Sequence, residues 1–196
     1  MSDAQPGPDG QLRCPWALSA PEYIDYHDRE WGQPVTSVVG LYERLSLEAF
    51  QSGLSWITIL RKREGFRSAF AGFDPETVAQ FDAADVARLM ADPGIVRNRA
   101  KINAAIANAQ VVVDIGDRFA EVILAHRVVG RPRPTAAAWR ATSPESVALA
   151  RELKRIGIRF VGPTTAYALM QAVGLVDDHL ADCFVPVAPS PAGSDI

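Results

Sequence analysis

The chain has 196 residues, 48% of them apolar and 22% charged, with a net charge of −3. Its mean hydropathy is +0.01. That balance supports a buried core and excludes a mostly disordered chain. No apolar run has the length of a bilayer span, and residues 1–11 carry neither the basic nor the apolar segment of a secretion signal. Two cysteines are too few for a disulfide framework, so a soluble protein of the reducing cytoplasm is expected. A monomer without a membrane partner is the accompanying expectation, which no residue pattern fixes.

In chain order, residues 1–11, with Pro6, Gly7, Pro8 and Gly10, read as a frayed tail. One helical domain, in one lobe or two, is expected over 12–185, and a second tail over 186–196. Val38, Leu41, Leu45, Glu48 and Ser52 fall on one helical stripe that Gly53 ends. Ser55 can cap a helix bearing Trp56, Ile59, Leu60 and Phe70, and Asp74-Pro75 pairs an N-cap with a Pro at the first helical position. A short helix around Val86 to Met90 stops at Asp92-Pro93-Gly94, and Ile102, Ala105, Ile106, Ala109, Val112 and Val113 mark a longer one ending near Gly116. Arg131-Pro132-Arg133-Pro134-Thr135 is a loop before Trp139. Ser143-Pro144 opens a helix through Val147, Leu149 and Leu153, and Gly162-Pro163 opens another through Tyr167 and Met170 to Gly174. Alternating strands are missing, so the fold class read from the chain is all-α.

Charge is unevenly distributed. Arg61, Lys62, Arg63 and Arg67 form one basic cluster, Arg97, Arg99 and Lys101 a second, and Arg151, Lys154, Arg155 and Arg159 a third, against an acidic stretch between Asp74 and Asp92. This permits a polyanion-binding face, although charge alone favours ordinary solvated helix faces. The third cluster borders a hairpin at 153–164, where Gly157 supplies a left-handed helix end and Gly162-Pro163 starts the next helix with free backbone N–H groups. Ile158 and Val161 can fold inward to hold it shut. Such a helix start beside Lys154, Arg155 and Arg159 suits a phosphate, while a plain helix–helix turn has the same form.

Cys14 and His27 near one end and His179 and Cys183 near the other make a Cys2His2 set, complete for a structural zinc that would clip the ends together. A helical segment would put His179 and Cys183 on one face. Two buried cysteines and two incidental histidines are the alternative. His126 reads as a loop or capping histidine. Trp16, Tyr23, Tyr26, Trp31, Tyr42 and Trp56 crowd the first 60 positions, and Glu48 sits on the apolar stripe of its helix, where a charge needs a partner. Aromatic faces around an inward carboxylate suit an unstacked nucleobase or a cationic ligand with an exocyclic amine. Core aromatics with a paired Glu would have the same composition.

Taken together, several stretches resemble the DNA-3-methyladenine glycosylase I family of the helix-hairpin-helix glycosylases. They are Cys14-Pro15-Trp16, Tyr26-His27-Asp28-Arg29-Glu30-Trp31-Gly32, Gln51-Ser52-Gly53-Leu54-Ser55-Trp56-Ile57-Thr58, Gly94-Ile95-Val96-Arg97-Asn98-Arg99-Ala100-Lys101-Ile102, Phe160-Val161-Gly162-Pro163-Thr164-Thr165 and Asp177-Asp178-His179. The resemblance runs from about Arg13 to Phe184. It implies a helical bundle that binds double-stranded DNA containing alkylated bases, flips out 3-methyladenine and hydrolyses its glycosidic bond. It further implies a single structural Zn2+ on Cys14, His27, His179 and Cys183, a base pocket of Trp16, Tyr26, Glu48 and Trp56, and DNA contacts from Lys154, Gly157, Arg159, Gly162 and Thr164. Wider relatives carry a catalytic aspartate in a Val-Asp-x-His context, which Val176-Asp177-Asp178-His179 reproduces. Asp177 thus either stabilises the sugar cation or caps a helix beside His179. Thr164 and Thr165 stand where lyase relatives place a Lys, so no Schiff base and no strand cleavage are expected.

Overall fold

A computed structural model describes residues 3–128 and 133–186; Arg131-Pro132 and the expected tail from residue 187 onward lie outside the described residues. Helices account for nearly all regular structure: α1 (Pro21–Arg29), α2 (Val38–Gln51), α3 (Trp56–Ala69), α4 (Pro75–Val78), α5 (Ala83–Ala91), α6 (Arg99–Ile115), α7 (Arg118–Leu124), α8 (Pro144–Arg155) and α9 (Pro163–Ala172). Among the described residues no helix is long and apolar enough to cross a membrane.

Two of the expected start signals act as anticipated: Asp74 accepts from Thr77 before α4, and Ser143 and Ser146 form a reciprocal capping box on α8. Ser55 stands at the head of α3 but caps no backbone N–H, its hydroxyl meeting that of Thr58 instead, whereas Ser37, which was not anticipated, accepts the Gly40 N–H at the head of α2. Asp82 caps α5 and Asn98 caps α6, each through side-chain oxygens that satisfy the first free N–H groups. Helix α2 is central, packing on α3, α6, α7 and α9. Its stripe of Leu41, Leu45 and Glu48 is buried, and so are Tyr42, Leu47 and Phe50. A helix walled on most sides leaves little room for solvent around any group it carries, and that surrounds Glu48 with apolar matter.

Three expectations need correction. Within the stretch expected to be a frayed tail, residues 3–11 are tied down, because Gln5–Pro6 (β1) pairs antiparallel with Leu12–Arg13 (β2) and the Ala4 N–H reaches the Asp182 carboxylate; Met1 and Ser2 lie outside the described residues. Helices α1 and α7 were not anticipated, since neither begins with a side-chain cap. The segment 177–183 is a run of bends and turns, not a helix, so His179 and Cys183 are not brought together by helical spacing. Tertiary contacts place them: Leu180 donates its N–H to Cys14 Sγ at 3.3 Å, and Phe184 donates to the Leu12 carbonyl at 2.8 Å. A small second core of Cys14, Tyr26, Trp31, Leu180, Cys183 and Val185 joins the two ends.

Candidate functional site

Beside this second core opens a cavity of about 520 Å³ lined by Trp16, Tyr26, Trp31, Glu48, Trp56 and Trp139, among others. Trp16 comes from the single turn Pro15–Leu18, Tyr26 from α1, Glu48 from α2 and Trp56 from the start of α3. The four residues expected to form a base pocket therefore converge from four elements. Trp16 meets Trp31 edge-on at 5.0 Å and Tyr26 lies 5.4 Å from Trp56, so the rings brace one another and leave a slot. Tyr23 and Trp31 of the sequence cluster also reach the cavity. Tyr42 does not: it is fully buried in the main core and donates its hydroxyl to the Ala105 carbonyl.

Glu48 is 5% exposed. Burial pushes its carboxyl up to about 8, and the Arg44 charge one turn earlier offsets only part of that. Arg44 is itself shared between Glu30 and Glu43. The Tyr26 hydroxyl is raised well above its ordinary value, by burial first and by the Glu48 charge second, so it stays protonated. The indole N–H of Trp56 is buried with no partner among the described residues. The slot thus holds an acid poised to ionise, a phenol and an unmet N–H between flat apolar faces. Such a set would seat a flat heterocycle bearing positive charge and polar edges.

Behind the aromatic wall lie the cysteines and histidines. Ligand atoms of Cys14, His27 and Cys183 are all within 4.8 Å of one another and all three residues are buried. The two thiols share a hydrogen bond that pushes Cys14 up and holds Cys183 well below the ordinary thiol range. His179 stands beside them, its ring 4.9 Å from that of His27, and its buried Nε2 has no hydrogen-bond partner. Each imidazole is held at the far nitrogen by a carboxylate: His27 Nδ1 by Asp28 at 2.8 Å, His179 Nδ1 by Asp177 at 3.0 Å. Asp28 is gripped in turn by Arg13, and Asp177 by Arg133. Two imidazoles with carboxylate-anchored Nδ1 atoms and two thiols are a donor set that fits zinc. Gly32, at φ +81°, makes room for it, since a Cβ there would lie 2.9 Å from His179 Cε1.

Asp177 is committed to His179 and Arg133 and does not line the cavity. Nor does it cap a helix there, because none starts beside it.

The expected hairpin joins α8 to α9. Gly157 takes φ +101° at the end of α8, Ile158 is buried, and Gly162 starts α9 without a side-chain cap. Lys154, Gly157, Arg159 and Gly162 line a shallow recess there, and Thr164 is exposed on the first turn of α9. Sequence reasoning missed what fixes the turn. The buried side chain of Asn108, on α6, accepts from the Arg159 N–H at 2.8 Å and donates to its carbonyl at 3.1 Å. It also missed Phe160, which stands at the tip at φ +59°, 47% exposed. The first basic cluster, by contrast, is consumed internally. Arg61 pairs with Glu22, Arg63 with Glu30 and Arg67 with Glu43, while Lys62 donates to the Pro93 carbonyl. Lys101 of the second cluster is buried, closing the end of α2 through the Phe50 and Ser52 carbonyls. His126 lies in the turn after α7, as expected of a loop histidine, and its Nε2 meets Glu152 of α8 at 3.0 Å.

The fold is a helical bundle whose N-terminal and C-terminal segments meet beside an aromatic, acid-bearing slot. Comparison with known proteins narrows the class. The sequence model of the Methyladenine glycosylase family matches residues 16–186, and the chain belongs to that family. It is 44% identical over 178 residues to the DNA-3-methyladenine glycosylase 1 of Escherichia coli, covering 87% of this chain and 95% of that protein. The crystal structure of a 3-methyladenine DNA glycosylase I superposes with TM-score 0.83 at 42% identity, over 90% of this chain and 100% of the other. A substituted 3-methyladenine DNA glycosylase I in complex with 3-methyladenine does so with TM-score 0.81 at 36% identity, over 91% and 98% of the two chains.

Proposed function

We propose that this protein is a DNA repair enzyme that turns 3-methyladenine out of alkylated duplex DNA into the slot between Trp16, Tyr26 and Trp56 and hydrolyses its N-glycosidic bond. The observation that carries the reading is the buried Glu48 carboxyl among these rings. A base stacked in the duplex cannot enter a slot between aromatic rings, so it must leave the duplex first. Methylation at N3 makes adenine a cation that departs as a neutral base. The protein then needs only to extract the base, hold it and favour the positive charge that moves to the sugar. Trp56 stacks on the ring, Glu48 accepts from the exocyclic amine and favours the charge, and Tyr26 contributes its hydroxyl. Thr164 and Thr165 on the first turn of α9 offer no amine, so the reading is of a glycosylase without Schiff-base chemistry or strand cleavage.

Cys14, His27, His179 and Cys183 would hold one zinc ion, whose chemistry is structural since protein donors fill a tetrahedral shell. Asp28 and Asp177 orient the two histidines, which makes Asp177 a positioning residue for His179. Lys154, Arg159 and the N–H groups at Gly162 and Thr164 face phosphate and position the duplex without reading sequence. The direct test is to incubate the protein with methylated duplex DNA and identify the free base by chromatography. Release of 3-methyladenine with 7-methylguanine left on the strand is expected, and a strand cut by the enzyme itself would overturn the monofunctional reading. If Glu48→Gln released the base at the unaltered rate, Glu48 would lose its role.

A further inference from the structure

The cavity has a rim that comes from outside the aromatic cluster. After the residues that are not described, segment 133–140 runs along the mouth of the slot and is tied down along its length. Arg133 pairs with Asp177 and donates to the Val185 carbonyl, Ala136 donates its N–H to Asp3, and Trp139 donates its indole N–H to the Asp178 carbonyl at 3.1 Å. Ala181 donates its N–H back to the Pro134 carbonyl. This segment delivers Trp139 and Arg140 to the cavity.

Arg140 is the arginine among the residues that line the cavity. Arg44, Arg61, Arg63 and Arg133 are each paired with a carboxylate. Arg140 is exposed, and among the described residues no carboxylate pairs with it. A guanidinium facing the slot gains nothing from a cationic base, which Glu48 already serves; it is suited to an anion. The anion that reaches the rim when a nucleotide is extruded is the phosphate on its sugar. We propose that Arg140, held out on the anchored segment 133–140, binds the phosphate flanking the extruded nucleotide and so retains that nucleotide by its backbone while the slot reads its base. The inference rests on the glycosylase reading above.

The test uses the full chain and its Arg140→Ala and Arg140→Lys variants, titrated with a duplex carrying a tetrahydrofuran abasic site over a range of salt. Free 3-methyladenine is titrated separately by tryptophan fluorescence. Arg140→Ala is expected to bind the duplex about tenfold more weakly, with the slope of log K against log salt shallower by about one; Arg140→Lys restores the slope and part of the affinity. All three proteins are expected to bind the free base alike. An unchanged salt slope in Arg140→Ala overturns the proposal, and so does a changed affinity for the free base, which would assign Arg140 to the base. Failure of the unsubstituted protein to release 3-methyladenine would remove the glycosylase reading itself. Release by that protein alongside unaltered duplex binding by Arg140→Ala would remove only this inference.

Discussion

Glu48 shows how one residue sets function against stability. Its carboxyl titrates near 4.5 in an open chain and near 8 in the fold. Between those values the folded protein holds a proton that the unfolded chain has released. The favourable contribution is therefore complete below the lower value and is lost as pH rises through the higher one, a swing on the order of 5 kcal/mol. Glu48→Gln, which cannot ionise, is expected to melt several degrees higher than the unsubstituted protein at pH 8.5 and nearly level with it at pH 4.5; calorimetry at both pH values checks this. Equal melting differences at the two values would mean that Glu48 does not titrate in this range. Excision should move the other way: a cationic lesion needs the ionised carboxylate, so the rate should climb through pH 8 in the unsubstituted enzyme and lie flat in Glu48→Gln. The position of Glu48 was legible, because a charge on the apolar stripe of a capped helix can only point inward. Tyr42, three positions from Leu45 in the same aromatic-rich stretch, belongs to the core. Composition does not separate an aromatic that faces a slot from one that faces the core.

At the scale of elements, the hairpin depends on a residue outside it. Asn108 satisfies both polar groups of Arg159 from the middle of α6. Asn108→Ala removes two hydrogen bonds to the Arg159 backbone, which costs about 2 kcal/mol at roughly 1 kcal/mol each. The expected outcome is a lower denaturation midpoint and weaker binding to any duplex, with free 3-methyladenine bound as before. A variant that lost affinity for the free base as well would show that the hairpin and the slot are not separable. The hairpin glycines and the capped helices were readable since their signals are local. Helix α1 was not, as it starts with neither a capping side chain nor a clean apolar stripe. The pairing of Arg61, Arg63 and Arg67 was equally hidden, because their acids lie 39, 33 and 24 positions earlier in the chain. A basic run announces charge, and only the packing of α3 on α1 and α2 decides whether that charge is free.

For the whole molecule, the decisive feature is that both ends meet behind the slot. The Cys2His2 set was visible as composition, but only the fold shows buried thiols beside two carboxylate-anchored imidazoles and an unpartnered His179 nitrogen. Metal analysis of the purified protein is expected to give one zinc per chain. A strong chelator, or Cys14→Ser, should lower the melting temperature and alter tryptophan emission, since the rings of Trp31 and His179 lie 4.6 Å apart. A metal-free preparation with unchanged melting and emission would remove the ion from the account. The arrangement also bears on how the protein is made. Residues 177–185 are translated after α1 to α9, and Leu180 must travel back to Cys14 across 166 positions. Until that stretch leaves the ribosome, Trp16, Tyr26 and Trp31 have no backing and stand open to water. A chain that stopped before residue 177 would keep the residues of α1 to α9 and leave the slot unfinished.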